Sequence, residues 1–150
     1  PFASGKVCYP ANSLPLFLSQ KPYLPLGSLR QVLSYPLPEV PNTEAIEVLQ
    51  AVGLDKLSAR LDDTELWSQI LSLGEQQRIA FARILLVKPD VLFLDEATSA
   101  LDEQSEAMLY RLLRTQLPQT IMVCVGHRST LHPFHEKKLL WQENGQWQFA

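Results

Sequence analysis

The sequence predicts an α/β domain in which helices pack against a parallel sheet, and three observations support this prediction. Residues 91–94 form a short, wholly apolar run, which is typical of a strand buried on both faces of a parallel sheet. Residues 121–125 form a second run of this kind. Residues 103–117 lie between the two runs and place apolar side chains at helical spacing. A strand, a helix and a strand in this order predict a βαβ unit with a right-handed crossover.

Composition limits the class of protein. The chain has 150 residues, of which 46% are hydrophobic and 19% charged, with a net charge of -3. A chain of this length and apolar content can bury a core, which argues against disorder. No apolar stretch is long enough to cross a bilayer, and the mild acidity gives no support to nucleic-acid binding. Cys8 and Cys124 are expected to be reduced, and the three histidines lack an HExxH pattern, so no zinc site is expected.

The front of the chain alternates short apolar runs with prolines. Residues 14–18 predict a short strand, and two prolines exclude a regular helix over residues 21–27. Ser28 is placed to cap a short helix over residues 28–33. Three further prolines predict an extended linker up to residue 41. Asn42 or Thr43 is then expected to cap a helix that ends near Gly53.

The middle and end of the chain complete the predicted elements. Residues 54–70 predict short helical turns, with their larger apolar side chains facing inward: Leu57, Leu61, Leu66 and Trp67. Ser72 and Glu75 have the S-x-x-E form of a capping box, and a periodic helix follows to Val87, before Pro89. Residues 138–149 predict a β-hairpin, because Asn144-Gly145 is a strong hairpin turn signal.

Acidic and imidazole side chains are expected at the carboxyl edge of the sheet, where ligands bind in open α/β folds. Asp95 and Glu96 follow the first buried strand, and His127 follows the second. One carboxylate could help to hold Mg²⁺ while the other polarises a water for attack on a phosphate. His127 could donate to a phosphate oxygen. The alternatives are that the two acids begin a solvated loop and that the histidine is structural.

Ser72 and Glu75 stand at a predicted helix N-terminus, where free backbone N–H groups and the helix dipole favour phosphate. Gly74 would permit close approach, although a plain structural cap explains the same residues. Gln20 closes the apolar run of residues 16–19 and means little by itself. Ser4-Gly5-Lys6 superficially resembles the end of a phosphate-binding loop. The first glycine of G-x-x-x-x-G-K-[ST] is absent and Val7 replaces the final Ser/Thr, so this interpretation is rejected.

The combination of these motifs resembles the ATPase domains of ABC transporters over nearly the whole chain. Residues 71–78 resemble the signature motif, residues 91–96 the Walker B strand and residues 99–102 the D-loop. Gln20 matches the Q-loop glutamine and His127 the switch histidine, in the family's order and spacing. Residues 20–30 further resemble the subgroup of fused permease–ATPases that includes the peroxisomal fatty-acyl transporters, subfamily D, and their bacterial relatives.

The resemblance implies a P-loop NTPase fold of the ABC type, with ATP and Mg²⁺ at its site. Asp95 would hold Mg²⁺ through water, with Gln20 at the metal and sensing the γ-phosphate. Glu96 would polarise the attacking water, and His127 would contact the γ-phosphate. Ser72, Gly74 and Glu75 would meet the ATP of a second, head-to-tail domain, and Asp102 would link the two sites. Leu73 and Glu75 depart from the usual Leu-Ser-Gly-Gly-Gln, and we expect Glu75 to point back at its own backbone.

The same resemblance implies a truncated parallel sheet, a helical signature subdomain and a C-terminal hairpin. Residues 1–20 would end the first lobe, residues 21–74 would form the helical subdomain, and residues 75–150 would form the second lobe. The lobe around residues 22–60 would face a permease, expected to be fused upstream, at the cytoplasmic face of a membrane. A soluble ABC-type ATPase acting on DNA or ribosomes is the alternative. The phosphate-binding loop and the adenine-stacking aromatic residue are expected upstream of Pro1, so this chain alone should not hydrolyse ATP, and an unfilled sheet position should leave an aggregation-prone edge.

Overall fold

The fold of the chain is given by a computed structural model that describes residues 5, 6, 8, 10–141 and 145–150. Seven strands and five helices follow one another with two 3₁₀ turns among these residues. In chain order they are β1 (Pro15–Leu18), β2 (Gly27–Ser28), α1 (Leu29–Ser34), α2 (Asn42–Ala51), a 3₁₀ turn (Asp55–Arg60), β3 (Thr64–Glu65), α3 (Trp67–Ile70), α4 (Leu73–Val87), β4 (Val91–Asp95), α5 (Glu103–Gln116), β5 (Ile121–Val125), a 3₁₀ turn (Ser129–Phe134), β6 (Leu139–Trp141) and β7 (Trp147–Phe149).

A three-stranded parallel sheet in the order β1-β4-β5 forms the centre of the fold. Its register pairs Leu18 with Leu94, and Leu94 with Cys124. Leu92 and Leu94 are almost completely buried in the core that α4 and α5 share with the sheet. The predicted α/β class, the parallel sheet and the βαβ unit formed by β4, α5 and β5 are therefore confirmed.

The prediction that β5 is buried on both faces is wrong. Ile121, Val123 and Val125 are 55%, 46% and 57% exposed, whereas Met122 and Cys124 pack against the core. β5 lies at an edge of the sheet, and Val123 shares a row with Phe93 of β4 and with Phe17 of β1, which is 64% exposed. Among the described residues, the core covers only the face of β5 that carries Met122 and Cys124. Apolar composition alone does not distinguish a strand covered on one face from a strand covered on both.

The segment before the signature folds as helices and turns around buried leucines and one tryptophan. Ser28 caps α1 as predicted, and its hydroxyl accepts from the Gln31 amide while the Gln31 side chain accepts from the Ser28 amide. Trp67 is buried, as expected. The prediction for Leu66 is wrong, since it immediately precedes α3 and remains half exposed.

The predicted cap of α2 also needs correction. Pro41 occupies the N-cap position, and no side chain there bonds a free amide. Asn42 instead lies inside the first turn, where its side chain accepts from Arg30. The long-range contact to Arg30 therefore replaces the local cap that the residue type suggested.

α4 and the hairpin match their predictions closely. α4 begins at the Ser72–Glu75 capping box, and Lys88 ends it in the left-handed conformation, one residue before Pro89. β6 and β7 pair antiparallel, with Leu139 opposite Phe149, which confirms the hairpin. Its predicted turn residue Asn144 lies outside the described residues. None of the described helices has the length and apolar character that crossing a bilayer requires.

Candidate functional site

The predicted site residues that follow β1, β4 and β5 lie at one edge of the sheet. Gln20 comes two residues after the end of β1, Asp95 ends β4, and His127 comes two residues after the end of β5. The strands are parallel and in register, with Asp95 opposite Val125, so their carboxyl ends point the same way. This is the edge at which open α/β sheets bind ligands.

Glu96 and His127 make a direct contact at this edge. The Nε2 atom of His127 lies 3.0 Å from Oε1 of Glu96. The backbone of Glu96 has a φ of 47°, and its amide donates to the Val125 carbonyl at 3.0 Å. A non-glycine residue in the left-handed region is uncommon and concentrates at functional sites. The turn therefore directs the Glu96 carboxylate toward the end of β5, where His127 stands.

The side chain of His127 faces solvent, while the residue before it packs against the core. Its side chain is 86% exposed, whereas that of Glu96 is 33% exposed. Gly126 precedes it, and a Cβ atom there would lie 2.8 Å from Leu131, so a larger residue would push against a buried leucine. The backbone beside His127 is thus held close to the core while the imidazole faces solvent.

Asp95 and Gln20 are both exposed, and both carry oxygen ligands. Within the described parts of the chain, no group of three or more His, Cys, Asp or Glu side chains could hold a metal ion by itself. Mg²⁺ commonly uses one or two protein oxygens and completes its shell with water and substrate phosphates. An exposed carboxylate and an exposed amide at the same edge of the sheet fit that mode of binding.

The signature residues form a closed capping box at the start of α4. The hydroxyl of Ser72 accepts from the Glu75 amide at 3.3 Å, and Glu75 Oε2 accepts from the Ser72 amide at 2.9 Å. Oε2 also accepts from the Ser72 hydroxyl at 2.7 Å. Glu75 therefore points back at its own backbone, as expected from its departure from the usual glutamine. Gly74 lies against the loop after β4, since a Cβ atom there would be 3.3 Å from Leu101.

Asp102 caps α5. Its two carboxylate oxygens accept from the backbone amide and the hydroxyl of Ser105, both at 2.8 Å. These hydrogen bonds lower the pKa of Asp102, because they stabilise the ionised form. Arg78 of α4 donates to the same hydroxyl at 2.7 Å, so the cap is tied to the signature helix. The role of Asp102 in joining two sites stays a prediction.

Gln77 is a site residue that sequence reasoning missed. Its side chain is completely buried and joins three segments. Nε2 donates to the Gln20 carbonyl at 2.8 Å and to the Ser99 hydroxyl at 3.2 Å, while Oε1 accepts from the Ala100 amide at 3.1 Å. One amide side chain on α4 thereby holds the segment of Gln20 and the loop before α5. A polar residue among the apolar positions of α4 was the available signal.

Arg83 is a second buried polar residue that the sequence did not single out. It donates through Nη1 to the Tyr23 carbonyl at 2.6 Å and through Nε to the Val32 carbonyl at 2.7 Å. Burial lowers its pKa to about 10, because desolvation disfavours the charged guanidinium. Arg83 therefore fixes the proline-rich segment after Gln20 against α1 and α4.

These contacts bring some predicted site residues together and leave others apart. Glu96 contacts His127, and Gln77 connects the Gln20 segment to Ser99 and Ala100. Ser72 and Glu75 contact each other, and no hydrogen bond among the described residues joins them to Glu96 or His127. That the two groups belong to different half-sites stays a prediction.

A parallel sheet with acids at the end of its central strand, together with a capped helix α4, is the arrangement expected of an α/β domain of the P-loop NTPase class. The ABC transporter family matches residues 16–99, which run from β1 into the loop after β4. This chain therefore belongs to the ABC transporter family, as part of its ATP-binding domain.

Individual relatives agree with that assignment. An uncharacterised ABC transporter ATP-binding protein of Haemophilus influenzae is 49% identical over 149 residues, which cover 98% of this chain and 25% of the relative. ABC transporter D family member 2, chloroplastic, of Arabidopsis thaliana is 41% identical, covering 83% of this chain and 22% of the relative. The human lysosomal cobalamin transporter ABCD4 is 39% identical, covering 89% and 24%. The chain spans about a quarter of the length of these relatives.

The resemblance to the ABC family, including its D subfamily, is thus confirmed. The relatives are named as transporters or their ATP-binding proteins. They give no support to the alternative of a soluble ATPase acting on DNA or ribosomes.

Proposed function

We propose that this chain is part of the ATP-hydrolysing motor domain of a membrane transporter, in which Glu96 is the catalytic base. The single observation that carries the proposal is the contact between Glu96 and His127 at the carboxyl edge of the sheet. A carboxylate at this position can accept a proton from an attacking water, and an adjacent imidazole can donate to a phosphate oxygen. His127 Nε2, 3.0 Å from Oε1 of Glu96, would orient that carboxylate before the nucleotide arrives.

Asp95 and Gln20 are proposed as the residues of this chain that would bind Mg²⁺, Asp95 through water. The metal, when bound with ATP, neutralises charge that develops on the phosphates. The fold holds Asp95 at the end of a buried strand, and it holds Gln20 on the segment that Gln77 anchors. Both side chains face solvent, so neither must break a described contact to reach a nucleotide.

Ser72, Gly74 and Glu75 are proposed to bind the ATP held by a second domain in a head-to-tail pair. The capping box leaves the other N–H groups of the first turn of α4 free to bind phosphate. Asp102 would lie between the two sites because it caps α5 next to the Gly74 contact with Leu101. The division at residues 20 and 74 into lobe, helical subdomain and lobe belongs to the same proposal.

The segment of residues 22–60, proline-rich at first and then helical, is proposed to face a permease, expected on the same polypeptide, at the cytoplasmic face of a membrane. Tyr23 and Leu26 are 66% and 80% exposed, and Tyr35 and Leu37 add further apolar surface. Exposed apolar side chains concentrated on one segment favour a protein contact. Arg83 of α4 bonds the Tyr23 carbonyl in this segment, so a displacement of the segment would be transmitted to α4.

The test is Glu96→Gln in the full transporter polypeptide that carries this domain, measured as steady-state ATP hydrolysis and as nucleotide binding. We expect turnover to fall by about 100-fold or more while ATP still binds, because the amide cannot accept the proton. Glu103→Gln, at an exposed acid in the first turn of α5, is the matched control and should leave turnover unchanged. Near-normal turnover of Glu96→Gln would remove Glu96 from the role of base.

The 150-residue chain by itself is proposed to be inactive. Its sequence contains no G-x-x-x-x-G-K-[ST] segment to hold the phosphates, and positioning supplies most of phosphoryl-transfer catalysis. Hydrolysis by the isolated chain that Glu96→Gln abolishes would contradict this part of the proposal.

A further inference from the structure

Glu106 is a buried carboxylate with no part in the proposed chemistry. It lies on α5, and its side chain is 1% exposed. Oε1 accepts from the hydroxyl of Thr98 and Oε2 from that of Thr130, both at 2.6 Å. A buried acid is costly unless its oxygens are paired, and these two bonds use both of them. Thr98 belongs to the loop between β4 and α5, whereas Thr130 follows His127, so Glu106 joins two functional segments.

Arg128 makes a second connection between the same two segments. It follows His127 directly in the chain. Nη1 donates to the Leu101 carbonyl at 2.7 Å, and Nη2 donates to the Ser99 carbonyl at 3.1 Å. Nη1 also lies 3.7 Å from Oε1 of Glu106. The guanidinium is a planar, rigid fork, so two carbonyls bound at once fix the loop's position relative to Arg128.

These bonds matter for the position of His127, because its side chain is largely exposed and little packing supports it. A pocket of about 170 Å³ lies beside it, and its lining includes Glu96, Thr98, Glu106 and His127. Within the described part of the chain, the imidazole contacts Glu96. The segment that carries His127 is therefore positioned by its backbone, through Leu131 in the core and through the polar bonds of Arg128 and Thr130.

We propose that Arg128, with Glu106 as its counter-charge, is a positioning residue for ATP hydrolysis that holds the His127 segment and the loop ending at Asp102 as one unit. The inference rests on the proposed function above. A shift of His127 on γ-phosphate contact or release would move Ser99 and Leu101 with it. Asp102 caps α5 at the end of that loop, so the state of one site would reach the surface proposed to meet the second domain.

The test compares Arg128→Met with Arg128→Lys in the full transporter polypeptide, with kcat and KM for ATP as readouts. We expect Arg128→Met to lower kcat about tenfold and to change KM less than about twofold, because the change misplaces His127 without removing a nucleotide contact. Arg128→Lys should recover part of the rate, since an ammonium group keeps the charge near Glu106 but cannot bind both carbonyls. Arg111→Met is the matched control at an exposed arginine of α5 and should behave as the wild type.

A double-mutant cycle separates positioning from general damage. In a His127→Ala background, Arg128→Met should lower the residual kcat by less than about twofold, because the group that it positions is gone. Thr130→Val removes one bond to Glu106 at nearly constant shape, and it should lower kcat about threefold with KM unchanged even if Arg128→Met fails to fold.

Three results would overturn the inference. The first is a wild-type kcat for both Arg128→Met and Thr130→Val. The second is an equal loss of rate on Arg128→Met with and without His127, and the third is a rise in KM that accounts for the loss of kcat/KM. A wild-type protein that does not hydrolyse ATP would instead refute the proposed function, and it would do so before any variant is compared.

Discussion

Gln77→Leu provides a sharp test of how the fold holds its loops. The change keeps a side chain of similar volume on α4 but removes the bonds to the Gln20 carbonyl, the Ser99 hydroxyl and the Ala100 amide. Each hydrogen bond contributes about 0.5–1.5 kcal/mol net, so three predict a loss of about 1.5–4.5 kcal/mol. Gln20 and Ala100 are exposed, and water can replace part of what the amide supplied. We therefore expect a destabilisation of about 2 kcal/mol.

The assay is urea denaturation of this chain followed by far-ultraviolet circular dichroism. A lower midpoint with an unchanged m-value would show lost stability and not a changed denatured state. Gln104→Leu, at an exposed position of α5, is the control and should change stability by less than about 0.5 kcal/mol. Combining Gln77→Leu with Ser99→Ala should give less than the sum of the two losses, because they share one bond. The reasoning is refuted if Gln77→Leu costs no more than Gln104→Leu.

The remaining predictions concern capping, packing and titration. Ser28→Ala should cost about 1 kcal/mol of unfolding free energy in the same assay, because it breaks the capping box of α1; a neutral result would count against that cap. Leu92→Ala should cost about 2–5 kcal/mol, since it opens a cavity beneath the sheet, whereas Phe17→Ser on the exposed face should cost far less; equal losses would contradict the burial pattern. Burial raises the pKa of Cys124 to about 11, so iodoacetamide at pH 8 should modify the exposed Cys8 first. Because the unfolded thiol ionises at lower pH than the folded one, Cys124 should make stability fall as pH rises from about 9 to 11. A Cys124→Ala variant should show a smaller fall over this range, and a fall of unchanged size would assign the titration to another group.

Local patterns were enough to predict the main elements. The bounds of α4 and α5 were predictable because apolar residues recur at helical spacing and because capping residues, Ser72 for α4, mark the starts. β4 was predictable because a wholly apolar run followed by acids fits a central parallel strand. The capping box also predicted the direction of the Glu75 side chain, since its geometry is fixed within four residues.

The errors arose where distant parts of the chain decide the outcome. β5 has the composition of a buried strand, but its burial depends on what covers each face of the sheet. Asn42 has the chemistry of a cap, but Arg30 takes its side-chain oxygen. Gln77, Glu106 and Arg128 could not be separated from ordinary polar helix and loop residues, because each bonds a partner more than 20 residues away in sequence. Signals within a few residues therefore predict elements, whereas the polar contacts between elements require the structure.

Glu96 has a left-handed backbone conformation, which is unfavourable for stability in a residue that the proposed chemistry requires. Glycine adopts this conformation without steric cost, whereas a residue with a Cβ atom costs about 1–2 kcal/mol there. A variant that loses the carboxylate to glycine can therefore fold as well as the wild type, or better, while losing the proposed base. A screen that rewards thermal stability alone would therefore enrich variants that lack the proposed base, because glycine suits the backbone conformation that Glu96 adopts.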